Sequence, residues 1–120
     1  MSRILEAKII NKTKSAELAK RCEIASTFRT RFLGLMGRTK LDDSGGLLLK
    51  PCNSIHMMFM KFEIDLVFLD RNNNVIHLIS SVKPWRVSPV IPKAASVIEL
   101  PTGTISSSRT EIGDNISIET

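Results

Sequence analysis

The stretch that decides the fold is Leu66–Ser81, which reads LVFLDRNNNVIHLISS. Two short apolar runs, Leu66–Leu69 and Val75–Ser81, flank the polar segment Asp70–Asn74. Because Asn and Asp tolerate the left-handed backbone conformation that tight turns use, the polar segment predicts a turn. Both runs have the length of a strand, so the stretch predicts a β-hairpin.

The same alternation of apolar runs and turn residues continues along the chain in both directions. Gly, Pro and Asn residues separate short apolar runs at near-regular spacing, which is typical of an all-β protein with few helices. Residues 84–92 contain three prolines and are therefore not expected to form a central strand. The further predicted strands are Ile4–Asn11, Leu18–Ala25, Gly46–Leu49, Ile55–Met60, Ser96–Leu100 and Ile116–Glu119.

One segment has helical rather than strand periodicity. Ser26 can cap a helix over Thr27–Met36. Four apolar residues of this segment fall at i, i+4, i+7 and i+8, on one helical face. They are Phe28, Phe32, Leu35 and Met36. We therefore expect a mainly β fold, a small single-domain barrel or sandwich with one or two short helices.

Length and composition set the broad class. The chain has 120 residues and a mass of 13.4 kDa, the size of one domain, so we expect a single domain over residues 1–120. Hydrophobic residues make up 42% and charged residues 24%, which argues against disorder. The net charge of +5 permits weak binding of polyanions without establishing it.

The ends and the cysteines bear on the compartment. Three charged residues within Met1–Lys8 leave no apolar core for a signal peptide. No apolar run approaches the roughly 18 residues that span a bilayer. Cys22 and Cys52 do not make a disulfide framework, and we expect them to be buried, unbridged thiols. The chain is therefore predicted to be cytoplasmic, with no membrane partner.

Four blocks, in order, resemble the motifs of one family. Arg31–Arg38 resembles its RxxGLMxR helix, and Ser54–Asp70 resembles its FMKxxxxIDxxFLD core. Val97–Gly103 resembles its VLELPAG strand, and Gly113-Asp114 resembles its closing GD turn. Over residues 15 to 119 the chain is thus similar to domain-of-unknown-function family 192 (DUF192), found in bacteria and archaea.

This resemblance implies a compact β-rich barrel or sandwich with one or two short helices. The family's biochemical activity is unassigned, so the resemblance carries no catalytic residue over to this chain. For the origin of the chain we expect a bacterium.

His56 lies in a segment with an unusual set of neighbours. Along the predicted strand Ile55–Met60, alternate side chains place His56, Met58 and Met60 on one face. Three soft ligands on one face are typical of a Cu(I) site. No cysteine or second histidine joins them at a set spacing, and Met is a common core residue, so we predict no metal and no cofactor.

Two carboxylates interrupt apolar segments. Asp65 lies between apolar neighbours, which predicts a structural hydrogen bond to nearby backbone N–H groups. Glu99 alternates with apolar residues, which predicts a solvent-facing side chain on a half-exposed sheet. The functional alternative is that Asp65 or Glu99 meets His56 as an acid–base pair or metal site. Sequence distance does not decide whether these side chains meet.

Two arginines and the only tryptophan are candidates for ligand binding. Arg31 and Arg38 are seven residues apart on one edge of the predicted helix, where they could hold a carboxylate or phosphate. The structural alternative is a pair of surface ion pairs with Asp42 or Asp43. Trp85 is flanked by cations in a proline-rich loop, which suits either a binding-site wall or a cap on the barrel end.

The function favoured by these residues is a binding or accessory module for a small anionic ligand. We expect Arg31, Arg38, His56 and Trp85 to line one concave surface, with Asp65 or Glu99 orienting a neighbouring base. The first alternative is an enzyme that uses His56 with Asp65 or Glu99 as its acid–base pair.

The second alternative is a module that binds protein or RNA through a basic surface. Tyr is absent and aromatic residues are few, which argues against nucleic acid as a partner. A contiguous basic face would support this alternative. Its residues would be Lys8, Lys12, Lys14, Lys20 and Arg21.

Overall fold

A computed structural model describes residues 5–25, 45–54 and 62–120 of the chain. These residues form a mainly β fold of seven strands and one short helix, which confirms the predicted fold class. The strands are β1 (Leu5–Asn11), β2 (Ala16–Ala25), β3 (Gly45–Leu49), β4 (Ile64–Leu69), β5 (Val75–Val82), β6 (Ser96–Pro101) and β7 (Ile116–Glu119). The helix, α1, is Thr104–Ser108.

The predicted hairpin is present, with β4 and β5 paired antiparallel. The Asp70 carboxylate accepts hydrogen bonds from the backbone N–H groups of Asn72 at 2.8 Å and Asn74 at 2.9 Å. Asn73 has a φ of 63°, the left-handed conformation that the turn requires. The turn thus forms as expected from its Asp and Asn residues.

The seven strands form one curled sheet in the order β5-β4-β6-β3-β2-β1-β7. Its two edge strands meet where β5 and β7 begin, through a bridge between Asn74 and Asn115. There the N–H of Val75 donates to the carbonyl of Asp114 at 2.8 Å, and the N–H of Ile116 donates to the carbonyl of Asn73 at 2.9 Å. The sheet therefore curls into a half-barrel and not into a two-layer sandwich.

Buried side chains cover both faces of this sheet. The inner cluster draws residues from both edge strands and from α1, through Val75, Ile116 and Ile105. The outer cluster includes Leu66, Phe68 and partly buried residues from the connections between strands. Because β4 lies between the two clusters, all six of its residues are buried. We use "inner face" and "outer face" below for the sides of the sheet that carry these two clusters.

The connection from β5 to β6 crosses the outer face. β5 and β6 are both antiparallel to β4, which lies between them, so they run parallel to each other. Parallel strands need a long crossover connection, and residues 83–95 supply it. Ile91 and Ala94 pack against the outer cluster, and the N–H of Ile91 donates to the carbonyl of Asn53 at 2.8 Å. The proline-rich segment is not a strand, as the sequence predicted.

Two predicted elements lie outside the described residues, namely the helix Thr27–Met36 and the strand Ile55–Met60. Conversely, α1 lies in a stretch for which the sequence predicted no helix. This helix has only five residues, and Ile105 is its only apolar one, so it has no helical periodicity to detect. Packing of Ile105 into the inner cluster, and not intrinsic propensity, places α1.

A fully buried carboxylate joins three of these elements. Asp65 on β4 is 0% exposed. One of its oxygens accepts from the N–H of Ser81 on β5 at 2.9 Å, and the other accepts from Gly103 at 3.1 Å and Ile105 at 2.9 Å at the start of α1. Ser81, with a φ of 51°, lies at an irregularity in the β4–β5 pairing that turns its N–H towards the carboxylate. The predicted structural role of Asp65 is confirmed.

A second buried carboxylate fastens the β1–β2 turn to the entry of β7. Asp114 accepts from the side-chain amide of Asn11 at 2.9 Å, the ammonium of Lys14 at 2.9 Å and the N–H of Glu111 at 2.9 Å. Burial alone would raise the pKa of Asp114. The hydrogen bonds from Asn11, Lys14 and Glu111, with the Lys14 charge, hold this pKa below its ordinary value.

Removing the Asp65 carboxylate should destabilise the fold strongly. In Asp65→Ala, three backbone N–H groups lose their acceptor, and we expect the free energy of unfolding to fall by about 2–4 kcal/mol. Urea denaturation measures the loss. Glu6→Ala removes an exposed carboxylate from β1 and should change stability by less than about 0.5 kcal/mol. Equal losses in the two variants would contradict the role of Asp65.

The lowered pKa of Asp114 makes part of the stability depend on pH. A carboxyl group whose pKa is lower in the folded state stabilises that state above its unfolded pKa of about 4, and loses this effect as pH falls through the folded pKa. The wild-type protein should therefore exceed Asp114→Asn in stability most at pH 7, and the difference should shrink at pH 3. Urea denaturation at both pH values tests this, and a constant difference would refute it.

Candidate functional site

The described residues contain three of the six side chains proposed for a site. The structure describes Asp65, Trp85 and Glu99. Arg31, Arg38 and His56 lie outside the described residues. The meeting of Arg31, Arg38, His56 and Trp85 on one surface, with Asp65 or Glu99 beside them, therefore stays a prediction.

Asp65 and Glu99 lie on opposite faces of the sheet. Asp65 pairs with Leu100, and the next pair along the same two strands joins Leu66 to Glu99. Since successive side chains of a strand point to opposite faces, Asp65 faces the inner cluster and Glu99 the outer one. The two carboxylates are thus alternatives for His56 and not a pair. Asp65 is already engaged by three backbone donors, so an acid–base pair with His56 would have to use Glu99.

The prediction that Glu99 faces solvent is wrong, because the structure leaves it only 5% exposed. Glu99 stands in a row across the outer face, between Leu47 on β3 and Leu66 on β4. Alternation along β6 correctly separates the two faces, but it does not show that residues 83–95 fold back across the outer face. A charged side chain therefore lies at the middle of the sheet, on the face that residues 83–95 cross.

The crossing connection carries apolar and cationic side chains on its exposed side. Trp85 is 60% exposed, Val87 67% and Val90 62%. Trp85 lies in a turn with a φ of 66°, between Lys83 and Arg86, both of which are exposed. This exposure fits a binding platform better than a cap on the barrel end. We call residues 83–93 the cationic loop.

Positive charge is concentrated in the stretch of sequence that includes this loop. Residues 71–98 contain four Lys or Arg and no Asp or Glu. The remaining 13 Lys and Arg are nearly balanced by all 12 Asp and Glu of the chain. Four of the five net charges therefore belong to the stretch that includes the cationic loop. Residues 71–98 therefore place no acidic side chain of their own beside an anion bound near this loop.

Residue-by-residue reasoning missed Lys93, Val87 and Val90 as candidate surface residues. The signal that could have revealed them is present in the sequence, as a 28-residue stretch without acidic residues around a loop stiffened by three prolines. Their exposure could not be foreseen, since Ile91 in the same loop packs into the outer cluster.

The cations of β1 and β2 form a different kind of surface. Lys8 lies 3.6 Å from the Glu17 carboxylate. Lys14 lies 2.9 Å from Glu111 and 2.9 Å from Asp114. Acidic side chains thus lie beside these cations, and the described residues of this region do not form a purely basic face.

Metal ligands and membrane spans can be assessed only for part of the chain. Within residues 5–25, 45–54 and 62–120, no group of three His, Cys, Asp or Glu side chains is placed to hold a metal ion. Over the same ranges, no helix has the length and apolar character needed to cross a bilayer. The copper alternative concerned His56, Met58 and Met60, which lie outside these ranges.

The two cysteines differ in their surroundings, and they form no disulfide bond with each other. Cys22 on β2 is buried, and burial, with the negative charges of Glu23 and Glu99, raises the pKa of its thiol to about 12. Cys52 is half-buried, and its thiol donates to the carbonyl of Ser54 at 3.1 Å. The expectation of a buried, unbridged thiol is confirmed for Cys22, whereas Cys52 is unbridged but only half-buried.

The comparison with known families gives one match that spans most of the chain. The model of DUF192, described as "Uncharacterized ACR", matches residues 9–118. A UPF0127 protein of Thermococcus sibiricus is 38% identical over 117 residues, covering 92% of this chain and 74% of the relative. Another UPF0127 protein, from Pyrococcus furiosus, is 35% identical over 113 residues and covers 90% of this chain and 95% of the relative.

A solved structure shares the fold. The crystal structure of a protein of unknown function from Novosphingobium aromaticivorans has a TM-score of 0.81 at 21% identity, covering 95% of this chain and 84% of that chain. At this identity the likeness concerns the fold alone. The two UPF0127 relatives come from archaea, so the expected bacterial origin is not confirmed.

The raised pKa of Cys22 predicts unequal reactivity of the two thiols. At pH 8 a thiol of pKa about 12 is thiolate in about one molecule in 10,000, and burial also excludes the reagent. With Ellman's reagent, the native protein should show at most one reactive thiol per chain, and the second should appear only in urea. Cys52→Ser should remove the native reaction. Rapid reaction of both thiols in the native protein would refute the prediction.

Proposed function

The chain belongs to the DUF192 family, to which no activity is assigned, and from its own surface we propose that it is a binding module for a small anionic ligand. The observation that carries this proposal is that the stretch of residues 71–98, which includes the only tryptophan, contains four Lys or Arg and no Asp or Glu. The proposed site is the exposed side of the cationic loop. The cytoplasmic location expected from the sequence is part of the same proposal.

The side chains of the loop suit an anion with a flat or apolar part. Arg86 can donate two parallel hydrogen bonds to a carboxylate or phosphate, and Lys83 adds a point charge two residues before Trp85. The exposed ring of Trp85 offers a face for stacking. Pro84 and Pro89 restrict the backbone, which lowers the entropy lost when a ligand orders the loop.

The remaining proposed residues would complete the site from the outer face. Glu99 lies on the face that the loop crosses, which supports it over Asp65 as the carboxylate that orients a neighbouring base. Arg31, Arg38 and His56 keep their proposed role as further ligands. With them, the site would combine loop cations with side chains from the predicted helix and strand.

Loss of loop charge should weaken the binding of small anions. We expect inorganic phosphate or citrate to bind the wild-type protein, and Lys83→Gln/Arg86→Gln to bind the same anion at least about tenfold more weakly, because each charged hydrogen bond contributes roughly 1.5–3 kcal/mol. Isothermal titration calorimetry measures the affinity. Trp85 fluorescence gives a second readout, since no other tryptophan contributes.

A matched control separates a local site from general charge. Lys8→Gln/Lys20→Gln removes two exposed cations from β1 and β2 and should leave anion affinity within about twofold. Far-UV circular dichroism should show that both double variants are folded, since exposed substitutions change stability little. Equal weakening in the two variants, or no binding of either anion by the wild-type protein, would disprove the proposed function.

A further inference from the structure

Val87 and Val90, two of the three exposed apolar side chains of the cationic loop, have no role in binding a small anion. Trp85, Val87 and Val90 are each at least 60% exposed. They fall within six residues, so they span at most about 18 Å of extended chain. Exposed Lys83, Arg86 and Lys93 are interleaved with them along the same loop. The same short loop therefore presents three exposed apolar side chains and three exposed cations.

We propose that the cationic loop attaches the protein peripherally to a membrane surface rich in anionic lipid. In this arrangement Lys83, Arg86 and Lys93 bind lipid headgroups, and Trp85, Val87 and Val90 insert at the boundary between headgroups and acyl chains. Trp favours this boundary because its ring is apolar while its N–H remains polar. The inference rests on the proposed function, since it names lipid headgroups as the source of the bound anion.

Charge and backbone chemistry favour lipid over two other occupants. A second copy of the chain would bring two loops of like charge together, because residues 71–98 contain no acidic partner for them. An extended peptide that adds to a backbone edge needs a series of N–H donors. Pro84, Pro89 and Pro92 interrupt that series, whereas a lipid surface requires no backbone donors.

Peripheral attachment departs from the expectation of no membrane partner. That expectation rested on the lack of an apolar run long enough to span a bilayer, and attachment at the surface requires none. Each cation close to an anionic bilayer contributes about fivefold in affinity. The apolar side chains add a contribution that salt does not screen, which distinguishes insertion from simple charge attraction.

The test uses the whole protein with vesicles of pure phosphatidylcholine or of phosphatidylcholine with 30% phosphatidylserine. Co-flotation measures binding, and the blue shift of Trp85 fluorescence reports insertion of the only tryptophan. We expect binding and a blue shift with phosphatidylserine vesicles, and at least tenfold weaker binding without phosphatidylserine. Lys83→Gln/Arg86→Gln should weaken binding about 30-fold, whereas Lys8→Gln/Lys20→Gln should weaken it less than about threefold.

The variant Val87→Ser/Val90→Ser separates this inference from the proposed function. It should abolish the blue shift and weaken vesicle binding at least fivefold, while inorganic phosphate or citrate binds as in the wild-type protein. Absence of vesicle binding, or binding that this variant leaves unchanged, overturns the lipid inference. If a small anion still binds, the proposed function stands. If neither vesicles nor small anions bind, both fail.

Discussion

The fold depends on a single buried carboxylate that is shared by elements distant in sequence. Asp65 receives backbone N–H groups from β5 and from the start of α1, so one side chain fixes the end of the hairpin and the placement of the only described helix. A buried charge requires such partners, because its desolvation is costly without them. The three donors are backbone groups, so the geometry follows from the path of the chain, which requires a positive φ at Ser81 and at Gly103.

The position of Asp65 also distinguishes the two faces of the sheet. Its carboxylate lies on the inner face, at the start of α1. Glu99 lies on the outer face, which residues 83–95 cross. The two carboxylates lie on opposite faces because successive side chains alternate along β4 and β6.

The parts of the fold that were predictable from sequence are those governed by local chemistry. The Asp70–Asn74 turn formed as expected, and so did the strands around it, because turn residues and apolar runs act over a few positions. Asp65 was predictable for the same reason, since a carboxylate within an apolar run must find donors. Glu99 was not, because the pattern of β6 does not show that the preceding connection folds back across the outer face. α1 was not predicted from the sequence because its single apolar residue, Ile105, cannot produce a helical periodicity.

The parallel relation of β5 and β6 has a consequence for how this protein can diverge. The connection must start at one end of the sheet and finish at the other, a distance of about 26 Å for a strand of eight residues. Its 13 residues can extend about 43 Å, so the loop has slack that the sheet does not need. Ile91 and Ala94 fix the part of the connection that packs against the outer cluster. Substitutions of the exposed residues Trp85, Val87 and Val90 can therefore accumulate in evolution at little cost to the sheet, which makes this arc a place for relatives to acquire different specificities.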